Sequence, residues 1–349
     1  MTKLSPITSG VCLALGAALA FGVTIPVLGW AGQGVGPYST AALLYFGASA
    51  AATAMRLAVR ESGAPLTRRS VPALLVMVIS GSAVAPTLFA WGLQRTGPVA
   101  GGLLLNLEAG CTAVLARLVF HEHLGRRAGA ALALLGAGGC LLAAQGQGDF
   151  GFNLLGALAV AGATVAWAID NTASRRLAEL RPLTVVAAKG ALGAAITLSL
   201  ALVMGDHLPQ PWQVVALLSA GATGYGVSLR LYLLAQRKIG SARTASVFAL
   251  APFIGAALGL AVGSREVQWR TVVAAALFVV GVVLHLAERH SHQHHHQPIE
   301  HEHAHLHDDG HHAHAHSQPV VEEHSHRHQH GPLEHAHEHG SDVHHGHTH

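Results

Sequence analysis

Charged residues are scarce in this sequence. Asp, Glu, Lys and Arg make up only 11% of its 349 residues, whereas 51% are hydrophobic. Apolar runs of about 20 residues recur along the chain, which is the length that a helix needs to cross a bilayer. This composition excludes a soluble globular protein and predicts an integral membrane protein whose first partner is the lipid bilayer.

Cysteine is scarce as well. Cys12, Cys111 and Cys140 are odd in number, lie inside apolar runs and lack the spacing of metal ligands. We interpret them as small packing residues, which excludes a disulfide framework. Because the apolar runs contain no nucleophile with a neighbouring base and no ordered metal motif, we expect neither an enzyme nor a required cofactor. Nothing in the sequence indicates a nucleic-acid partner.

Proline, glycine and charged residues divide the apolar sequence into ten predicted spans. Span 1 continues apolar through Val27 and has a counterpart later in the chain, so we expect it to be retained rather than cleaved as a signal peptide. Spans 1 to 10 lie near residues 7–29, 38–59, 71–93, 97–120, 125–144, 153–176, 182–204, 212–235, 240–262 and 268–288.

Positive charges collect in alternate loops. Twelve Lys and Arg residues lie in the loops after spans 2, 4, 6 and 8, whereas the other loops carry only Arg95, Arg265 and Arg270. Short loops rich in Lys and Arg stay in the cytoplasm. We therefore predict a multi-pass protein of the plasma membrane, the inner membrane of a bacterium, with both termini cytoplasmic.

The chain also repeats itself. Glu108 stands 144 positions before Pro252, and Gly10 stands 146 positions before Gly156, with similar residues around each pair. Two halves of five spans each explain these distances. Because five is odd, the second half must be inverted in the membrane relative to the first, as in many secondary transporters.

The predicted fold class is therefore an all-α membrane protein, with ten transmembrane helices arranged as two inverted five-helix repeats and a disordered C-terminal tail. The first half comprises residues 1–146 and the second half residues 147–289. Residues 290–349 form the histidine-rich tail, which we place in the cytoplasm.

The order of spans, the short helical hairpins, the Gly-rich spans 3 and 8, and the acids that end spans 4 and 9 (Glu122 and Glu266) carry a resemblance to a known family. Over about residues 7–288 the chain resembles the EamA branch of the drug/metabolite transporter superfamily. The resemblance implies export or exchange of small solutes, often coupled to protons, but it does not fix the substrate. Glu108 departs from the pattern, since many relatives, like the second half here, have proline at that position.

Four ionisable residues lie well away from the ends of the spans, namely Glu108, Asp170, Lys189 and Arg230. A charge at the centre of an inserted helix costs about 2.5–3.5 kcal/mol on insertion scales, so such residues usually face a protein interior or a water-filled cavity. Together with Trp167, one turn before Asp170, they are the candidate substrate and coupling residues. Trp167 either walls the solute path or packs in the core.

The depths of these residues suggest their roles. Asp170 and Lys189 lie roughly 8–10 Å from the cytoplasmic ends of spans 6 and 7, so we predict that they pair. Arg230, at a similar depth, either lines the path or extends its stem to the lipid headgroups. Glu108 lies near the midplane. A carboxyl group there can exchange a proton or cation, or it can stay protonated and bind a neighbouring helix.

The tail differs sharply from the spans. It holds 24 of the 28 histidines, nine acidic residues and one Arg, and it lacks a periodic apolar pattern. These features predict disorder and many weak sites for zinc, nickel, cobalt or copper(II). The histidines that we assign to metal binding are His292, His294, His296, His301, His303, His305, His307, His311, His312, His314 and His316.

We expect a secondary transporter that exports a small organic solute or a metal ion. The tail favours divalent-metal efflux, whereas the positive Lys189 and Arg230 favour an anionic or zwitterionic metabolite. A metal-responsive membrane sensor or store is the alternative from a different class. Gly255 and Gly259 on span 9 are better explained by packing within the bundle than by dimerisation, although a homodimer stays open.

Overall fold

The structure, a computed structural model, describes the two halves with short gaps and the tail in part. The described residues are 6–59, 61, 63–120, 126–143, 154–174, 177, 180–262, 268–286, 290–296, 299–305, 324–330 and 333–339. Glu122, Glu266 and the remaining residues lie outside this description.

Helices form almost all of the two halves. The α-helices are α1 Pro6–Ala31, α2 Pro37–Ala58, α3 Val71–Met77, α4 Ala85–Leu104, α5 Leu107–Phe120, α6 Arg126–Ala143, α7 Leu154–Ser174, α8 Pro182–Met204, α9 Pro211–Ala220, α10 Ser228–Phe248, α11 Ala251–Val262 and α12 Trp269–Leu286. Two π-helical segments, Val78–Val84 and Gly221–Val227, join α3 to α4 and α9 to α10. The 3₁₀ turn Arg68–Ser70 precedes α3.

Helices occupy all ten predicted span positions within the described residues. Eight helical stretches there are long and apolar enough to cross a membrane, and Trp269–Leu284 is a shorter apolar helix. Span 4 is divided between the end of α4 and α5, so neither piece alone has the length of a full span. The predicted helical membrane bundle is confirmed.

Proline and glycine explain several helix boundaries. Pro37, Pro182 and Pro211 stand in the first turns of their helices, where the missing N–H has no partner to lose. Gly97 and Gly240 have positive φ angles of 75° and 78° inside α4 and α10, a conformation that favours glycine. They form the sharp turns between spans 3 and 4 and between spans 8 and 9.

The two halves interlock. Helix α1 packs along α10 and α4 packs along α7, while α2 packs along α8 and α6 along α12. Each of these interfaces joins one half to the other. The centre of the bundle therefore lies where spans of both halves meet, and large apolar side chains such as Phe46 and Leu202 are exposed on its outside, where lipid is expected.

The inversion is visible at the ends of α2 and α8. After the end of α2, the Glu61 carboxylate accepts a hydrogen bond from the Leu183 N–H in the first turn of α8, at 2.8 Å. After the end of α8, the Asp206 carboxylate accepts one from the Ser39 N–H in the first turn of α2, also at 2.8 Å. The two helices are therefore antiparallel. Asp206, which follows α8, caps α2, and Glu61, which follows α2, caps α8.

The tail contains four described strands, β1 His290–His296, β2 Ile299–His305, β3 His324–His330 and β4 Leu333–His339. They form two separate antiparallel ladders, β1 with β4 and β2 with β3. Their sequences are almost entirely polar, and a two-stranded ladder is at best marginally stable in water. These ladders give the tail no apolar core, so its disorder stays a prediction.

Candidate solute-binding and coupling site

Span 4 is broken near its middle. Helix α4 ends at Leu104 and α5 begins at Leu107, so Glu108 lies in the first turn of a new helix rather than within a continuous one. The Glu108 N–H still donates to the Leu105 carbonyl, at 3.0 Å, across the break. A carboxylate in a first helical turn interacts favourably with the free N–H groups there. The half-helix thus provides a polar position at membrane depth, as in many transporters.

Glu108 points toward the second half. The Asn171 side-chain amide in α7 donates a hydrogen bond to Glu108 Oε1 at 2.6 Å. Glu108 is partly buried, and its partner Asn171 directly follows Asp170 in α7. The acid of the first half is therefore held against α7 of the second half.

The predicted pair of Asp170 and Lys189 is confirmed. Lys189 Nζ lies 2.6 Å from Asp170 Oδ2, and the two residues are only 3% and 6% exposed. Asp170 Oδ1, the other carboxylate oxygen, has no hydrogen-bond partner among the described residues. A charge pair this deeply buried stabilises the fold only if both partners are present.

The first π-helical segment makes room for this pair. A Cβ atom added to Gly81 would lie only 2.3 Å from Asp170 Cγ, so glycine lets the carboxyl group approach the backbone. The Tyr45 hydroxyl donates a hydrogen bond to the Gly81 carbonyl from the other side. Lys189 Nζ lies 6.0 Å from the centroid of the Tyr45 ring, within reach of a cation–π interaction.

Aromatic side chains from both halves surround the polar cluster. Trp167 is 7% exposed and packs edge-on against Phe89 and Phe21, with ring centroids 5.5 and 6.2 Å away. The ring of Tyr225 packs against those of Phe21 and Tyr45, at 5.6 and 5.3 Å. Trp167 thus packs at the centre of the bundle, and its contact with solute stays a prediction.

Arg230 pairs elsewhere. Its Nε atom lies 3.1 Å from Glu61 Oε1, and its side chain is 20% exposed. Glu61 is the same residue that caps α8, so the ion pair lies at the end of the bundle that the sequence predicts to be cytoplasmic. The similar depth that we predicted for Arg230, Asp170 and Lys189 does not bring Arg230 into the buried pair.

Three residues of the site were not predicted from the sequence. Asn171 binds Glu108, Tyr45 binds the Gly81 carbonyl, and Glu61 binds both Arg230 and the start of α8. A signal existed for Asn171, a polar residue next to Asp170 in an apolar span. The partners of Tyr45 and Glu61 are distant in sequence, and a single sequence gives no such contacts.

The metal prediction receives no support from the described residues, since no three of their His, Cys, Asp and Glu side chains come together as a metal-binding group. His292, His294, His296, His301, His303 and His305 lie in the strands of the tail, where only the backbone is described. His307, His311, His312, His314 and His316 lie outside the described residues. Metal binding by the tail therefore stays a prediction.

These features define a class of protein: a multi-pass helical membrane protein with two inverted repeats and buried charges between them. The family model of the EamA-like transporter family matches residues 8–144 and 154–287, one match for each half. The chain belongs to the EamA-like transporter family. This membership confirms the resemblance noted in the sequence, and the family is one of transporters.

Relatives agree with this assignment. The chain is 30% identical over 206 residues to an uncharacterized transporter of Methanothermobacter thermautotrophicus, covering 56% of this chain and 59% of that protein. It is 25% identical over 229 residues to the uncharacterized transporter YyaM of Bacillus subtilis, covering 62% and 73%. The first match thus spans less than two thirds of the relative's length.

One solved crystal structure supports the fold. It is 21% identical to this chain, has a TM-score of 0.56, and the match covers 79% of this chain and 96% of that one. At this identity the likeness concerns the arrangement of helices only.

Proposed function

We propose that this protein is a secondary transporter that exports a small solute by alternating access and is coupled to a proton or another cation through Glu108. The observation that carries the proposal is the 2.6 Å hydrogen bond from Asn171 to Glu108, beside the buried pair of Lys189 and Asp170. We place the protein in a bacterial inner membrane, with both termini in the cytoplasm, because of the positive charges in its even-numbered loops.

The position of Glu108 explains why it can couple two movements. Glu108 belongs to the first half, whereas Asn171, Asp170 and Lys189 belong to the second. When the two halves rock against each other, the polar and charged surroundings of Glu108 must change. An acid whose surroundings differ between two states binds a proton or cation with different affinity in each, which is the requirement for coupling.

The test is transport by cells with and without the gene, measured as accumulation of a panel of metabolites and metal ions. A transported solute is one whose accumulation falls when the protein is present. Glu108→Gln keeps the size of the side chain and removes its charge, so we expect at least a tenfold loss of coupled flux. Glu108→Asp, which keeps the acid, should retain part of it. Undiminished coupled flux with Glu108→Gln would contradict the proposal.

Divalent-metal efflux is the second candidate, and the composition of the tail favours it. Its 24 histidines, with a formal charge of −8 from nine acids and one Arg, provide many weak ligands for zinc, nickel or cobalt near the predicted cytoplasmic entrance. In that case the tail raises the local metal concentration, and the bundle carries the ion.

Deletion of residues 290–349 separates the candidates. A transporter of organic solute should keep its full flux, and a metal exporter should keep reduced flux. A metal-responsive sensor or store, in which the bundle only anchors the tail, should lose its whole response. Because imidazole titrates near pH 6.5, metal binding to the tail should fall on mild acidification, which equilibrium dialysis of the full-length protein can measure.

A further inference from the structure

The two π-helical segments present equivalent hydroxyl groups to the bundle centre. Ser82 and Tyr225 are 143 positions apart, the same distance that separates the starts of the two segments. They are 0% and 6% exposed, and neither hydroxyl has a hydrogen-bond partner among the described residues. Since buried polar atoms nearly always have partners, this pair needs an explanation.

A third unpartnered atom lies beside them. Within the part of the chain that the structure describes, Asp170 Oδ1 has no hydrogen-bond partner, and its carboxyl group packs on Gly81, the residue before Ser82. Tyr225 comes from the second half, and its ring packs on that of Tyr45, whose hydroxyl binds the Gly81 carbonyl. The Asp170 carboxyl group, the backbone next to Ser82 and the ring of Tyr225 thus all border Gly81 or Tyr45.

Two other hydroxyls of the same π-helical segments do have partners. Ser80, in the same π-helical segment as Ser82, donates its hydroxyl to the Val76 carbonyl at 2.7 Å. Thr223, two residues before Tyr225, donates to the Ser219 carbonyl at 2.9 Å. Other hydroxyls of the two segments therefore bind their own helices. Widened π turns of this kind occur frequently at functional sites.

The chemistry of the cluster selects a cation that can donate hydrogen bonds. A carboxylate oxygen only accepts, and a hydroxyl can accept as well. Glu108 and Asp170 together carry one more formal charge than Lys189 balances when both acids are ionised. The rings of Tyr45 and Tyr225 add faces that attract positive charge. A group with one positive charge and several N–H bonds satisfies all of these requirements.

We propose that Ser82, Tyr225 and Asp170 form the binding subsite for the transported solute and receive a protonated primary amine. The inference rests on the proposed transport function and names its substrate class. The three atoms are buried in this structure, so the halves must move apart to admit the solute. A neutral amide lacks the charge, and a quaternary ammonium lacks the N–H donors that the unpartnered oxygens need.

The purified full-length protein tests this with matched ligands. Methylamine, butylamine and 2-phenylethylamine are compared with their N-acetyl and N-trimethyl counterparts, with binding followed by tryptophan fluorescence and by the shift in unfolding temperature. Trp167 in the aromatic cluster makes fluorescence a suitable signal. We expect at least one primary amine to bind about tenfold or more tightly than both of its counterparts, since it alone makes charge-assisted hydrogen bonds.

Variants then assign the oxygens. Tyr225→Phe and Ser82→Ala should each weaken amine binding about tenfold. Tyr225→Phe should not lower the unfolding temperature, because the Tyr225 hydroxyl has no hydrogen-bond partner to lose among the described residues. Ser80→Ala and Thr223→Ala are the matched controls, since they remove hydroxyls of the same segments that bind their own helices. Both controls should bind amines as the unchanged protein does.

Three results would overturn the inference: no amine of the panel binds, the N-acetyl or N-trimethyl compounds bind as tightly, or Tyr225→Phe and Ser82→Ala retain full affinity. The ligand comparison on the unchanged protein remains decisive even if a variant fails to fold. Glu108-dependent flux of a solute without an amine would support the transport proposal and contradict the amine subsite. Amine binding without any Glu108-dependent flux would support the amine subsite and contradict the coupling through Glu108.

Discussion

The two halves of the bundle share local backbone geometry but differ in the side chains at equivalent positions. Their π-helical segments, Val78–Val84 and Gly221–Val227, are 143 positions apart, as are Gly97 and Gly240, the positive-φ glycines that follow them. The same local geometry therefore occurs twice, once in each orientation. Because the geometry is duplicated, differences in side chains between the two copies point to positions with a separate role.

The first difference lies opposite the π-helical glycines. Gly81 leaves room for Asp170, and Gly224 leaves room for Thr24, with an added Cβ in each case only 2.3 Å from the neighbouring side chain. Thr24 satisfies its hydroxyl within its own helix, by donating to the Phe21 carbonyl at 2.6 Å. Asp170 instead requires Lys189 from another helix. One copy of the arrangement is thus neutral and self-contained, and the other is charged.

The second difference lies at the break in spans 4 and 9. Glu108 opens α5 and binds Asn171, whereas the equivalent position in α11 is Pro252. Ile25, 146 positions before Asn171, packs closely on Gly255 of α11. The polar contact of the first copy is therefore an apolar contact in the second.

Neutralising either Asp170 or Lys189 alone should give the largest loss in the free energy of unfolding. Asp170→Thr gives the charged copy the residue of the neutral one but leaves Lys189 buried without a partner. Breaking a buried pair by removing one partner costs about 3–5 kcal/mol. We expect a loss of this size in the free energy of unfolding, measured by denaturant titration in detergent, for Asp170→Thr and for Lys189→Met alone.

The double variant, Asp170→Thr with Lys189→Met, should recover much of that loss, since no uncompensated charge remains. A double variant no more stable than either single one would contradict the structural role of the pair. Because the pair also belongs to the proposed solute site, the double variant should fold but fail to transport. Full transport by the double variant would show that transport does not need the pair.

Placing an acid in the neutral copy should have the next largest effect. Pro252→Glu puts a carboxyl group at the position equivalent to Glu108, but Ile25 stands where Asn171 would be needed. We expect a loss of about 2.5–3.5 kcal/mol in the free energy of unfolding, the cost of an unpartnered charge in the membrane.

Adding Ile25→Asn to Pro252→Glu should create a hydrogen bond between positions 25 and 252. This bond would be the counterpart, in the other copy, of the one between Asn171 and Glu108. This double variant should be more stable than Pro252→Glu alone, by about 1 kcal/mol or more for a hydrogen bond to a charged group. Ile25→Asn alone serves as the control and should only destabilise. Equal stability of the double variant and Pro252→Glu would mean that the two copies differ in backbone as well as in side chains.

The sequence predicted the parts of this arrangement that depend on depth and periodicity. Asp170 and Lys189 stand in adjacent spans at similar depth, which was enough to predict their pairing. The break before Glu108 was missed, because Leu103–Leu107 contains neither proline nor glycine and reads as continuous helix. Contacts such as Tyr45 with Gly81 depend on how helices of the bundle cross, and hydrophobic periodicity does not determine that crossing.

Removal of a helix cap should lower the free energy of unfolding least. The two caps lie at opposite ends of the pair formed by α2 and α8. Asp206→Ala removes one cap, and we expect a loss of about 1 kcal/mol in the free energy of unfolding. Glu61→Ala removes the equivalent cap and also the partner of Arg230, so it should cost about 2 kcal/mol. In an Arg230→Leu background, Asp206→Ala and Glu61→Ala should lower the free energy of unfolding by the same amount. If they already cost the same in the unchanged protein, the ion pair with Arg230 adds nothing, as is common for pairs near water.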